Sequence, residues 1–249
     1  MTWEELALFL SAGVVGGVVN ALAGGAKLFV FPILLASGLP PIMANATGTV
    51  ALWPAQLPAL LLHRRLVAGD GQGLLLRIWP ALVGALVGAG LLIVASERAF
   101  LTVIPFVLVA AVAVIAFGDR TATLASRVLP DRHRAPAAGV LLFLSGVYGG
   151  FFGAGMGFLL IAVLTLSGVA SIHVANAEKN AVATAINTTA VAPLLLSGLV
   201  HLPAAGVVLL GGLVGGLLGG LLAGRLPEAP MRIGVALLGT VLTLSFLFS

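Results

Sequence analysis

The chain contains no cysteine, one tyrosine and few charges: only 8% of its 249 residues are Asp, Glu, Lys or Arg, against about 25% in a soluble domain. Without cysteine there is no disulfide, no thiolate metal site and no Cys nucleophile. Without more charge, a chain that is 60% hydrophobic, with mean hydropathy +1.20, cannot cover the surface of a water-soluble globule. A cytosolic enzyme, a nucleic-acid-binding domain and a disordered chain are excluded on that ground. What is left is an all-α polytopic membrane protein. The net charge of +4 is then a topology signal, because basic residues beside spans stay on the inner side. Met1-Thr2-Trp3-Glu4-Glu5 is acidic where a cleaved leader is basic, so the first span is expected to be retained.

A transmembrane helix needs about 20 apolar residues to cross about 30 Å of hydrocarbon. Apolar runs bounded by charges and Gly/Pro breaks occupy 6–23, 28–37, 42–62, 74–95 and 99–117. A polar stretch, 118–135, follows with Asp119, Arg120, Arg127, Asp131, Arg132, His133 and Arg134, and five more runs occupy 136–152, 156–167, 174–197, 204–223 and 231–248. The expected division is a first transmembrane repeat (1–117), a charged cytoplasmic linker (118–135) and a second repeat (136–249).

The halves also match in letters. Gly13-Val14-Val15-Gly16-Gly17 returns as Gly146-Val147-Tyr148-Gly149-Gly150, Ser37-Gly38 as Ser167-Gly168, and Ala44-Asn45-Ala46 as Ala175-Asn176-Ala177. Five crossings per half is an odd number, so the second half is inverted. With the linker inside, ten of the twelve basic residues fall on the inner side: Lys27, Arg64, Arg65, Arg77, Arg120, Arg127, Arg132, Arg134, Arg225 and Arg232. Arg98 lies outside and Lys179 within a span. If the short runs were re-entrant, Arg225 and Arg232 would move outside, so the charge bias favours two inverted five-segment repeats with both termini outside.

The short runs mark the place to look for a site. Ten residues, 28–37, span only about 15 Å as a helix, and both short runs follow glycine clusters: Gly24-Gly25 and Gly153-Ala154-Gly155-Met156-Gly157. Shortened, glycine-interrupted segments at matching places in two halves point to a transporter's substrate site. Broken backbone at membrane depth is tolerated only where protein or a water-filled cavity satisfies it. Close packing through small residues is the competing explanation; it accounts for Gly84/Gly88 and 211–220 but not for the coincidence of both clusters with short runs.

Polar side chains within spans are costly and become the candidates. Asn45, Thr49 and Gln56 share one helical stripe, with Thr47 on the same run; Asn176, Asn180 and Asn187 repeat the stripe, with Thr184 beside it. Amides donate hydrogen bonds to an anion without a charge of their own to desolvate; the competing role is interhelical glue. Lys179 can attract an anion and Glu178 can carry a coupling proton, unless both sit near water at a helix end. Lys27, at the start of the first short run, either faces substrate or snorkels to the interface. Asn20 lies close to the same break. Pro32, Pro54 and Pro58 are expected to kink or end helices. With no carboxylate cluster and no HExxH, neither a metal nor a cofactor is expected.

These residues resemble the TauE/SafE family of sulfite exporters and related permeases: Gly24-Gly25, a short run, Ser37-Gly38-Leu39-Pro40-Pro41, then Ala44-Asn45-Ala46-Thr47-Gly48-Thr49-Val50, with the echoes at 153–157 and 175–180. The likeness covers nearly the whole chain. It departs at Ala26-Lys27, where a longer glycine run is common, and at Glu178-Lys179-Asn180, where a Thr-Ser-Lys-like string is common. The resemblance implies a multi-pass protein of the cytoplasmic membrane that moves a small oxyanion, sulfite or an organosulfonate such as sulfoacetate, by secondary transport. Export with alternating access and a coupling proton is the leading expectation. Uptake, a channel, another anion such as a carboxylate, and an intramembrane enzyme using Ser145 with His173 or His201 are the alternatives. The partners expected are a small anion and the lipid bilayer.

Overall fold

The computed structural model describes residues 1–23, 25–57, 60–61, 67, 71–128, 130–169, 171–222, 233–234, 237, 240–241 and 244. The expected run at 231–248 and the basic residues Arg64, Arg65, Arg225 and Arg232 therefore lie largely or wholly outside the described residues.

Every regular element described is helical: α1 (Trp3–Ala23), α2 (Lys27–Ala36), α3 (Pro41–Leu52), a 3-10 turn (Pro54–Gln56), α4 (Gly71–Val94), α5 (Glu97–Val128), α6 (Asp131–Phe151), α7 (Met156–Leu166), α8 (Ile172–Leu196) and α9 (Leu202–Leu222). Four of them contain stretches long and apolar enough to cross a membrane: Trp3–Leu22, Gly71–Val94, Glu97–Val114 and Leu202–Leu222. The chain is thus an all-α, multi-pass membrane protein. The short runs form short helices, α2 of ten residues and α7 of eleven.

Two boundaries differ from the sequence expectation. The run 42–62 is not one helix: α3 stops at Leu52 and a 3-10 turn follows, because Pro54 lacks the N–H that a continuing helix needs and its ring crowds the preceding turn. The apolar run 99–117 lies in a longer helix, since α5 runs on to Val128 through much of the charged stretch 118–135. Pro32, by contrast, sits inside α2 without ending it.

Packing is by small residues inside and large ones outside. On α4, Ala81, Gly84, Ala85, Gly88 and Ala89 are buried, while Leu76, Trp79, Leu86 and Leu91 are exposed. Between helices in lipid there is little hydrophobic gain, so close backbone approach supplies the attraction. α1 runs along α9 and α4 along α6 at such distances that side chains are excluded. A Cβ on Gly13 or Gly17 would stand 2.3 Å from the carbonyl oxygen of Val208 or Gly212; one on Gly146 or Gly150 would stand 2.1 or 2.3 Å from that of Ala81 or Ala85. A second layer is aromatic: Phe31, Phe100 and Phe152 are fully buried, and the rings of Phe31 and Phe152 meet edge to face at 5.4 Å. The N-terminus of α3 is closed by the Glu97 carboxylate, which accepts from the Ile42 N–H at 3.1 Å, the favoured sign at a helix N-terminus.

Candidate functional site

The two helix breaks meet. α6 ends at Phe151, and its last carbonyls have no partner within a continuing helix. Side chains from the first half take them up. The Asn45 amide donates to the Phe151 carbonyl at 2.8 Å, and the Lys27 ammonium donates to the Phe152 carbonyl. The Tyr148 hydroxyl donates to the Ala154 carbonyl. Gly153 and Gly155 turn the chain through φ 78° and 72°, a left-handed backbone that a Cβ disfavours.

Lys27 is buried, at 7% exposure, which settles snorkelling against it. Its ammonium also donates to the Thr49 hydroxyl at 2.5 Å and lies 5.6 Å from the centre of the Phe152 ring. Thr49 in turn donates to the Asn45 carbonyl at 3.0 Å.

Beside this cluster is a cavity of about 30 Å³, lined by Asn20, Lys27, Thr49 and Gln56 from the first half and by Phe152, Gly153 and Asn187 from the second. Leu52, Met156 and Ala183 complete much of its apolar wall. One water needs about 10–15 Å³ by this measure, so the space suits about two waters. Asn20 Nδ2, Asn45 Oδ1 and Gln56 Oε1 are buried without a hydrogen-bond partner among the described residues; an unpaired buried polar atom is costly. Gln56 reaches this wall from the 3-10 turn rather than from the helical stripe.

Other expected site residues fall elsewhere. Thr47 turns away and accepts from the His201 N–H at 2.9 Å, tying α3 to the start of α9. Gly25 is buried just before α2, and its carbonyl accepts from the Leu28 N–H; Gly24 lies outside the described residues. On α8, Asn176, Lys179, Asn180 and Thr184 are off the cavity wall. Lys179 is buried and donates to Asn176 Oδ1 at 3.2 Å, and Thr184 donates to the Asn180 carbonyl at 2.7 Å. Glu178 is 2% exposed and forms an ion pair with Arg77 of α4 at 2.9 Å, so neither it nor Lys179 sits in water at a helix end. Of the residues considered for an enzyme, Ser145 donates to the Leu141 carbonyl at 2.6 Å and His201 Nδ1 accepts from the Ala204 N–H at 3.3 Å. Both are occupied in helix geometry, and the His173 side chain lies outside what is described.

Sequence reasoning missed four participants. The carbonyls of Phe151 and Phe152 carry no letter of their own. Arg77 had been read only as a topology charge, although a lone Arg in one apolar helix and a lone Glu in another suggests a pair. Trp53, whose indole donates to Thr188 Oγ1 at 2.7 Å, joins the end of α3 to α8.

Buried amides and a buried ammonium around a small cavity, inside a shell of outward-facing leucines, define a multi-pass membrane protein with a polar site at its core. The chain belongs to the TauE/SafE family: the family model described as "Sulfite exporter TauE/SafE" matches residues 9–246. It is a family of transporters rather than catalysts, and its members are multi-pass proteins of the cytoplasmic membrane. Among curated relatives, a "Probable membrane transporter protein" of Haemophilus influenzae is 31% identical over 176 residues, covering 66% of this chain and 64% of the relative. A "Probable membrane transporter protein ORF9" of a Sinorhizobium species is 26% identical over 172 residues, covering 68% and 64%. The matched regions thus span just under two thirds of each relative. No solved structure matches the chain.

Proposed function

We propose that the chain is a secondary transporter that moves a small oxyanion, sulfite or an organosulfonate, by alternating access between two inverted halves. The observation that carries this reading is the cavity where the two helix breaks meet, lined by Lys27 and by amides from both halves. An ammonium and amide N–H groups suit an oxyanion, and α2 and α7 both begin on the cavity wall, at Lys27 and Met156, where two half-helices of a transporter meet its substrate.

Exchanged contacts support the inverted repeat. Gly13 and Gly17 of α1 meet α9 as their sequence counterparts Gly146 and Gly150 of α6 meet α4, and Gly211 and Gly215 meet Leu10 and Val14 as Gly84 and Gly88 meet Phe143 and Val147. Each half therefore lends a helix to the other, an arrangement suited to rocking about a shared centre. Within this reading 1–117 and 136–249 are the repeats, and 118–135 joins them on the cytoplasmic side.

Asn176, Lys179, Asn180 and Thr184 belong to the path on either side of the cavity. Glu178 is the candidate for a coupling proton, and its ion pair with Arg77 opens during the cycle to let the proton reach it. Flux in proteoliposomes, with sulfite, organosulfonates and carboxylates and with or without a pH gradient, tests the reading. The expected result is saturable oxyanion flux, with Glu178→Gln losing gradient-driven flux while keeping exchange. Flux indifferent to the gradient in the unmodified protein removes proton coupling, and no flux of any small anion removes the transporter.

A further inference from the structure

The charge balance of the cavity selects among anions. Resting on the transporter reading above, we propose that the site accepts a compact monoanion, which for sulfite means hydrogensulfite and for organosulfonates means those with no second charge, and turns dianions such as sulfate and sulfoacetate away. Lys27 is the one charged side chain on the described wall; the other polar groups there, Asn20, Thr49, Gln56 and Asn187, are neutral. Helix ends do not change the sum. The N-termini of α2 and α7 each bring about half a positive charge, and the C-termini of α1 and α6 beside them bring about half a negative charge each.

The donors are as limited as the charge. The ammonium has three N–H groups, of which two go to Thr49 Oγ1 and the Phe152 carbonyl, while the Thr49 hydroxyl proton goes to the Asn45 carbonyl. One N–H of Lys27 remains, together with the amides. The other buried charges are engaged off the wall: Arg77 with Glu178, and Lys179 with Asn176. A monoanion makes the cavity neutral. A dianion leaves one negative charge buried with no counter-charge, which a low-dielectric site penalises heavily.

The asymmetry has a residue-level origin. α2 begins with Lys27 and α7 with Met156, and both residues line the cavity. One half supplies an ammonium where the other supplies a thioether.

The test compares methanesulfonate, a permanent monoanion, with sulfate, a dianion of similar shape, in proteoliposomes that also receive sulfite as reference, at mildly acidic pH where hydrogensulfite predominates. Methanesulfonate should be carried, or compete with sulfite, at least about tenfold better than sulfate, a ratio that corresponds to about 1.4 kcal/mol. Met156→Lys, which adds a second ammonium, should narrow that ratio at least about tenfold. Sulfate carried as well as methanesulfonate by the unmodified protein overturns the proposal, as does sulfite flux with both other anions inert. If Met156→Lys does not fold, the unmodified ratio decides alone. Sulfite flux without the selectivity defeats only the monoanion claim, whereas absence of flux for every anion defeats the transporter reading itself.

Discussion

At the first break the chain passes from Ala23 to Lys27, and Ala26 before α2 keeps an ordinary right-handed backbone at φ −51°. At the second it passes from Phe151 to Met156 through Gly153 and Gly155, both left-handed at φ 78° and 72°. The first break carries charge and reaches across; the second carries shape and offers carbonyl oxygens. Lys27 and Asn45 donate to Phe152 and Phe151, so the backbone orphaned in one half is satisfied by side chains of the other. One break thus supplies the donors and the other the acceptors, and neither is complete alone.

The largest effects should come from the helix pairs that hold the halves together. Gly84→Val and Gly215→Val each place a Cβ 2.0 Å from a carbonyl oxygen, of Phe143 and Val14 respectively. Both should exceed the usual overpacking cost of about 1–3 kcal/mol and abolish the monodisperse peak in detergent size-exclusion. Tolerance of one but not the other would break the match between the two interfaces.

Next is the ion pair between α4 and α8. Arg77→Leu should lower stability by about 3–5 kcal/mol, the usual cost of removing one partner of a buried pair. A thermal melt should show most of that loss recovered in Arg77→Leu/Glu178→Leu; no recovery would mean that Arg77 acts through something other than Glu178.

The breaks themselves can be set against each other. Gly155→Ala forces a side chain into left-handed backbone and should cost about 1–2 kcal/mol, whereas Ala26→Gly should cost no more than about 1 kcal/mol. Equal melting shifts would remove the distinction between them.

The smallest expected difference is between matched asparagines. Asn45→Ala removes a bond that crosses the halves and should cost about 1 kcal/mol. Asn176, whose amide oxygen meets Lys179 within its own helix, should cost about half of that or less when replaced by Ala. The reverse order in urea or thermal denaturation would contradict that division of donors and acceptors.

Much of this was legible in the letters. Hydropathy gave the helices, because lipid requires long apolar runs, and glycine clusters gave both breaks. The polar stripes gave Thr49, Gln56 and Asn187, and the glycine breaks gave Asn20, Lys27 and Gly153; all six line the cavity. Thr47 was separable in principle: it stands two residues from Thr49, about 200° around a helix, and points to His201 instead. The acceptors of Lys27 and Asn45 were hidden because a backbone oxygen becomes available only where a helix ends. Arg77 and Glu178 were hidden as a pair because periodicity within one helix does not say which other helix packs against it. That the charged stretch 118–135 is helical as far as Val128 was hidden, since a helix can turn polar without ending.

Sulfite flux in proteoliposomes bearing the unmodified chain or Lys27→Met tests the central claim most directly, because that substitution gives both breaks the same residue and leaves the cavity without its ammonium. The account predicts saturable flux in the unmodified protein and a loss of at least about a hundredfold in Lys27→Met, with the variant still folded by size-exclusion and thermal melt. Equal sulfite flux in the two proteins would show that the anion does not pass through the cavity at the meeting of the breaks.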